Sequence, residues 1–242
     1  MKKILALVLV AVSVLGMAVA EEPEWVGAPK VYGMRVYEDL KPNEGDKSEY
    51  IYFYAQNREF ANGRSTAKKF AEKSFADHFR SKIYGLASSG AVAIDIAMEK
   101  SESVDDETEE SNESDENEAD LPDLNFNVDD YNLSEKDLQD FQVMATKFQE
   151  KVENVKFSDY ELLEWYYEET KVKNKKGFTC FVLGRVPKKA VSDMLCAQEK
   201  KAEKSFEKEV GHPMSNALRE AMDDLRDIIA DNSEKELLKD DD

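Results

Sequence analysis

The residues that could carry out chemistry are few in this sequence, and their spacing does not assemble a site. The only histidines are His78 and His212, and two isolated imidazoles do not make a zinc site. The Ser-x-x-Lys pattern of serine acyl enzymes occurs at 65–68 and at 205–208, but its companion Ser-Asp-Asn and Lys-Thr-Gly elements are absent from the sequence. We therefore predict a protein that is not an enzyme, with no catalytic, cofactor-binding or metal-binding residues.

An exported enzyme of unrecognised type is the alternative hypothesis. Its only support is the abundance of carboxylates, 52 Asp and Glu in 242 residues. A solvated surface explains such an abundance equally well. Two convergent carboxylates with separated pKa values in a deep pocket would favour the enzyme.

Cys180 and Cys196 are the only cysteines, and the sequence allows two interpretations of them. Export to an oxidising compartment would permit a structural disulfide between them. Without it, the two thiols would act as small buried hydrophobic groups. The pairing requires their Cα atoms to lie within about 7 Å, which the sequence does not show.

Trp25 and Trp165 are the only tryptophans, and tyrosines surround both of them. Together these rings could form an aromatic patch that binds a ligand. The other interpretation is packing in the core or at an interface, which is the common use of large amphipathic rings.

The charge of the chain is strongly acidic and unevenly distributed. The 33 Lys and Arg against 52 Asp and Glu give a net charge of −19, which excludes nucleic-acid binding by a basic face and argues against a polybasic membrane surface. Residues 102–120 hold eleven acids and no base, and a segment of that composition is predicted to be a disordered loop. A protein that binds cations diffusely through this loop is a further alternative.

Residues 1–20 have the pattern of a secretory signal peptide. Two lysines precede an apolar run, and Ala18-Val19-Ala20 fits the cleavage rule, so we expect cleavage after Ala20. No cysteine stands at the cleavage point to accept a lipid, and no later apolar stretch approaches the length of a membrane span. The prediction is an exported protein of the periplasm or outer envelope, without a transmembrane segment after cleavage.

The remaining pattern predicts an alternation of strands and helices. Strands rich in aromatic and β-branched residues are predicted at 31–37, 50–55, 162–167 and 178–186, with the last two joined by a turn at 174–177 that glycine closes. An amphipathic helix starts at Ser65 and ends near Gly85, a second is capped by Ser134, and two more span 188–209 and 214–230. The apolar run 91–98 fits a helix or a strand equally well.

This order predicts an α+β fold, an antiparallel sheet with helices packed on one face. Residues 21–100 and 123–209 form the two halves of one domain, and a disordered acidic insertion at 101–122 separates them. Residues 210–242 form a C-terminal helix, predicted to pack on its own domain, and an acidic tail.

Four elements of the chain resemble the LPP20-like family of bacterial envelope lipoproteins, to which the N-terminal domain of the flagellar assembly protein FlgT is related. They are Pro23-x-Trp25-Val26, an alanine-spaced helix ending Phe79-x-x-Lys82-Ile83, the strand 162–167, and the strand 178–188 that runs into a lysine-rich helix. The resemblance implies an α+β domain without enzymatic activity that works through contacts with envelope proteins in envelope or flagellar assembly. The lipoprotein cysteine is missing, so lipid anchoring does not carry over to this chain.

Overall fold

The structure is a computed structural model that describes residues 21–32, 49–103, 122, 124–172 and 174–239. Its strands and helices are, in chain order, β1 (Tyr50–Gln56), α1 (Arg64–Ser103), α2 (Glu135–Glu153), β2 (Glu161–Val172), β3 (Lys175–Pro187), α3 (Lys188–Val210) and α4 (Asn216–Leu237). The predicted signal peptide 1–20, most of the acidic insertion 101–122 and the end of the acidic tail lie outside the described residues.

The three strands form one antiparallel sheet in the order β1-β3-β2, which confirms the α+β prediction. Along β3, alternate side chains point to opposite faces of the sheet. Cys180, Val182 and Val186 belong to the hydrophobic core beneath the helices. Gly184 lies on the same face, where a Cβ would come within 2.5 Å of the ring of Phe75 on α1. We call this the helix face, and the opposite side the second face.

The hairpin between β2 and β3 forms as predicted, but its turn is tighter. Val172 pairs with Lys175, and Gly177 pairs with Thr170 inside the ladder, so glycine does not close the turn. Asn174 takes the left-handed conformation instead, with φ of 63°. Asparagine tolerates this region better than most residues, which explains why the turn does not need a glycine.

Helix α1 is one continuous helix of 40 residues, so the predicted end near Gly85 is wrong. The ambiguous run 91–98 lies within this helix. Gly85 stays helical, and the hydroxyl of Ser89 donates to its carbonyl oxygen at 3.1 Å. Tertiary packing on the helix outweighs the unfavourable propensity of a single glycine, which costs only about 1 kcal/mol.

Small residues in the middle of α1 allow the other helices to approach closely. A Cβ on Gly90 would lie 2.7 Å from a methyl carbon of Leu225 on α4. On α2, Gln149 donates to the hydroxyls of Ser88 and Tyr84, at 2.8 and 3.0 Å. Because α2, α4 and the sheet all contact α1, its apolar residues are not restricted to one stripe.

The predicted strand at 31–37 is not observed where the structure describes it. Residues 29–32 are helical, and 33–37 lie outside the described residues. The β-branched and aromatic composition of Val31 and Tyr32 indicated a strand, but such propensities are weak and give way to local packing. The amide of Tyr32 donates to the carbonyl of Ala28 at 3.1 Å, closing the helical turn.

The second half follows its predicted pattern, with one extension. Ser134 caps α2 in a reciprocal capping box with Asp137, as its position predicts. Helix α4 packs on α1 as expected, but it continues to Leu237 rather than ending near 230. Ile229, Ser233 and Leu237 are all buried, so one face of the helix continues into the segment predicted as a tail. No helix in the described part of the chain combines the length and apolarity needed to cross a membrane.

Candidate interaction surface

The N-terminal segment 21–32 anchors itself on the second face of the sheet through one carboxylate. Trp25 is fully buried, and its indole N–H donates to Oε2 of Glu164 at 3.0 Å. The hydroxyl of Tyr32 donates to Oε1 of the same residue at 2.9 Å. Burial and this hydrogen bond raise the pKa of Tyr32 above its usual value, so it stays protonated and remains a donor.

A β-bulge places Glu164 where it can accept both bonds. Leu162 pairs with Gly184, but Glu164 pairs with Leu183, so one extra residue lies between the two pairs on β2. An extra residue reverses which face the following side chains occupy. Glu164 therefore lies on the second face, whereas Leu162 lies on the helix face. Sequence analysis missed Glu164, because uninterrupted alternation puts residues 162 and 164 on one side.

Three aromatic rings lie next to this anchor, and we call them the aromatic surface: Tyr54, Tyr166 and Phe181. Tyr166 and Phe181 are cross-strand partners with ring centroids 6.0 Å apart, and Tyr54 lies 6.4 Å from Phe181. Trp25 continues the group, 6.4 Å from Tyr54. All three rings are half-buried, so each keeps part of its area accessible on a rigid sheet. Burial and the nearby carboxylates Glu168 and Glu22 raise the pKa of Tyr166.

A charged pair fixes the other end of the second face. Arg185 is only 8% exposed, and its Nε and Nη2 donate to one oxygen of Glu161 at 2.9 and 2.6 Å. Its guanidinium also stacks on the ring of Tyr50 with 4.3 Å between Cζ and the centroid. The ion partner and the aromatic face offset the cost of removing this charge from water.

The two tryptophans lie on opposite faces of the sheet and do not form a common patch. Trp165 pairs with Val182 and packs against the core on the helix face. The ammonium of Lys68 on α1 lies 3.9 Å from the centroid of its ring, which is cation–π distance. Its indole N–H is buried without a hydrogen-bond partner. Packing thus accounts for Trp165, while Trp25 supports the aromatic surface.

Cys180 and Cys196 are both free thiols in the structure. Cys180 is buried on the helix face of β3, and burial raises the pKa of its thiol to about 11. Cys196 is half-buried on α3. The interpretation of the cysteines as small hydrophobic groups describes Cys180 as it is placed here, and its thiol is a poor nucleophile near neutral pH.

The two histidines lie in different parts of the fold, and each contacts a neighbouring element. Nε2 of His78 is 3.2 Å from the carbonyl oxygen of Leu237, at the C-terminal end of α4. Nε2 of His212 lies 3.5 Å from a carboxylate oxygen of Asp140. Within the described ranges, no group of three His, Cys, Asp or Glu side chains is arranged to hold a metal ion.

Two carboxylates that are largely removed from solvent, Glu199 and Glu234, are bound to cations. Glu199 on α3 accepts from Nη1 of Arg226 on α4 at 2.6 Å; burial raises its pKa, and the arginine lowers it only in part. Glu234 contacts Lys30 at 2.5 Å and Lys188 at 2.7 Å. Burial raises the pKa of Glu234, but hydrogen bonds from the two lysines outweigh this and leave it below the usual value. These pairs join segments of the fold. Nη1 of Arg226 also binds Oδ1 of Asp223 at 2.5 Å, so Glu199 and Asp223 converge on one arginine.

Comparisons of the chain with protein-family models, with curated proteins and with solved structures found no match. The fold and the aromatic surface therefore define it as an α+β protein with a rigid aromatic face that its own N-terminal segment supports.

Proposed function

We propose that this chain is a non-enzymatic, exported protein of the bacterial cell envelope that acts through protein–protein contacts at the aromatic surface. The observation that carries the proposal is the placement of Tyr54, Tyr166 and Phe181 as half-buried rings on a sheet whose opposite face is packed. Aromatic side chains are enriched at protein interfaces, because they bury a large area at a small entropic cost.

The expected signal peptide and the resemblance to LPP20-like envelope proteins support the cellular location. The resemblance also suggests the process, which is envelope or flagellar assembly. The anchor formed by Trp25 and Glu164 supports the contact role, because it holds the N-terminal segment beside the aromatic surface, with the ring of Trp25 6.4 Å from that of Tyr54. Preorganisation of this kind reduces the entropic cost of association.

The test places a photo-crosslinking amino acid at Tyr166 and, as a control, at Lys204, an exposed residue of α3. The protein crosslinked from Tyr166 in the source cells is identified by mass spectrometry, purified, and titrated with the unmodified chain. We expect Y166A and F181A each to weaken binding of that partner by about 2 kcal/mol, roughly thirtyfold, with unchanged circular dichroism.

Equal crosslinking from both positions would refute the proposal. So would binding by Y166A and F181A at the affinity of the unmodified chain.

A further inference from the structure

The end of the β2–β3 hairpin extends beyond the rest of the sheet. β1 pairs with β3 only over residues 181–187. The segment after β1 runs alongside β3 as far as Phe178. There the amide N–H of Phe178 donates to the carbonyl oxygen of Ala61 at 2.9 Å. The last three pairs of the hairpin therefore lie beyond both β1 and the segment that follows it. They join Thr170 to Gly177, Lys171 to Lys176 and Val172 to Lys175. The hairpin end therefore projects beyond the strand and the segment that lie beside β3.

Two apolar side chains are exposed at this end. Val172 is 48% exposed and Phe60 is 45% exposed, and they are two of the four large hydrophobic side chains that are exposed among the described residues. The ring of Phe60 lies directly against Gly177, leaving no room for a Cβ there. Lys175 and its partner Val172 share the face of Gly177, because side chains two apart on a strand lie on one side. Phe60 and Val172 thus lie on the same side of the hairpin end.

Three cations at the hairpin end have no acidic partner among the described residues. Lys175 lies on the side of Phe60 and Val172, whereas Lys171 and Arg64 lie on the other side, so cations are present on both sides of the hairpin end. In the described part of the chain, Lys171, Lys175 and Arg64 have no carboxylate within ion-pair distance. The guanidinium of Arg64 lies 5.7 Å from the ring centroids of Tyr167 and Phe178, at the base of the hairpin end. The paired exception is Lys176, which contacts Glu169 at 2.7 Å. An excess of positive charge is therefore concentrated at one end of an acidic protein.

We propose that the hairpin end, formed by Phe60, Arg64, Lys171, Val172 and Lys175, is a contact site for an anionic lipid surface. The exposed apolar pair enters the headgroup region, and the cations bind the phosphates around it. The net charge of −19 argued against a polybasic membrane surface. That charge is a sum over the whole chain and does not describe the cations at the hairpin end. Exposed apolar side chains among unpaired cations match an anionic bilayer, which offers phosphates and an apolar interior together, whereas an acidic peptide would use the cations alone.

The test is flotation of the expected mature chain, Glu21 to Asp242, with vesicles of phosphatidylcholine alone or with about one-third phosphatidylglycerol. At about 0.1 M salt we expect binding to the anionic vesicles only, decreasing as salt is raised. K171Q/K175Q should weaken the partition coefficient about thirtyfold, since each lysine near an anionic surface contributes about fivefold. V172S should weaken it about tenfold through lost apolar burial.

The matched control is K200Q/K204Q, which removes the same charge from exposed positions of α3. It should bind within about twofold of the unmodified chain if the effect is local. An equal loss in this control would overturn the proposal, as would absence of binding to the anionic vesicles. Retention on immobilised polyglutamate that needs Lys171 and Lys175, without vesicle binding, would reassign the site to an acidic protein. Y166A should not change flotation, so failure here is distinguishable from failure at the aromatic surface.

Discussion

Removal of the Glu164 carboxylate should loosen the N-terminal segment by an amount that the geometry sets. E164A leaves the indole N–H of a fully buried Trp25 without its acceptor at 3.0 Å. It also removes the acceptor of Tyr32, although that hydroxyl is only half-buried and can turn to water. An orphaned buried donor costs about 1–3 kcal/mol, and the exposed bond adds less, so we expect a loss of about 2–3 kcal/mol.

Urea unfolding followed by circular dichroism measures this loss. With an m-value of about 2–3 kcal/mol/M, the midpoint of E164A should fall by about 1 M. W25F deletes the donor, so the W25F/E164A double variant isolates the indole–carboxylate bond as a coupling free energy of about 1.5 kcal/mol. The control E168A removes a carboxylate from the same strand and should change stability by less than about 0.5 kcal/mol. A coupling below about 0.5 kcal/mol would refute the anchoring role of Glu164.

Three other substitutions and measurements check separate parts of the structure. G184A should lower the free energy of unfolding by about 1–3 kcal/mol, because its Cβ would overlap the ring of Phe75. G85A has open space around it and should raise the free energy of unfolding by about 0.5–1 kcal/mol. If G184A were instead more stable than G85A, the packing on α1 would be contradicted. E234Q should cost about 1 kcal/mol at neutral pH. Because the folded pKa of Glu234 lies below its ordinary 4.5, this difference should be lost as pH falls through the folded pKa; a difference that persists at pH 2 would contradict the ion pair with two lysines. Alkylation of the folded protein should add one label at Cys196, and alkylation after unfolding should add a second at Cys180; an unshifted mass after unfolding would instead show a disulfide.

The parts of the fold that the sequence predicts well depend on local rules. Ser134 and Asp137 form a capping box that three-residue spacing is enough to recognise. The strand that ends at Pro187 and the helix that follows it have boundaries that proline imposes. In such places, neighbours in sequence supply the stabilising contacts.

The parts that sequence analysis misses depend on partners far along the chain. A glycine at 85 looked like the end of a helix, and only the packing of α2 and α4 around α1 explains its continuation. The role of Glu164 depends on a bulge, and nothing in the alternation of β2 indicates where an extra residue is inserted. The hairpin end differs, since Lys171, Lys175 and Lys176 are close in sequence and only Phe60 and Arg64 come from a distant segment.

Helix α1 is long compared with the distance over which charges interact in salt. Forty residues at 1.5 Å each make a helix of about 60 Å. Arg64, beside the cationic hairpin end, begins the helix, and Ser103 ends it. The separation of its two ends is several times the screening length of about 8 Å at physiological salt, so charges at one end are screened from groups at the other. The positive potential of the hairpin end is therefore set by the residues around it and not by the acidic charge of the whole chain.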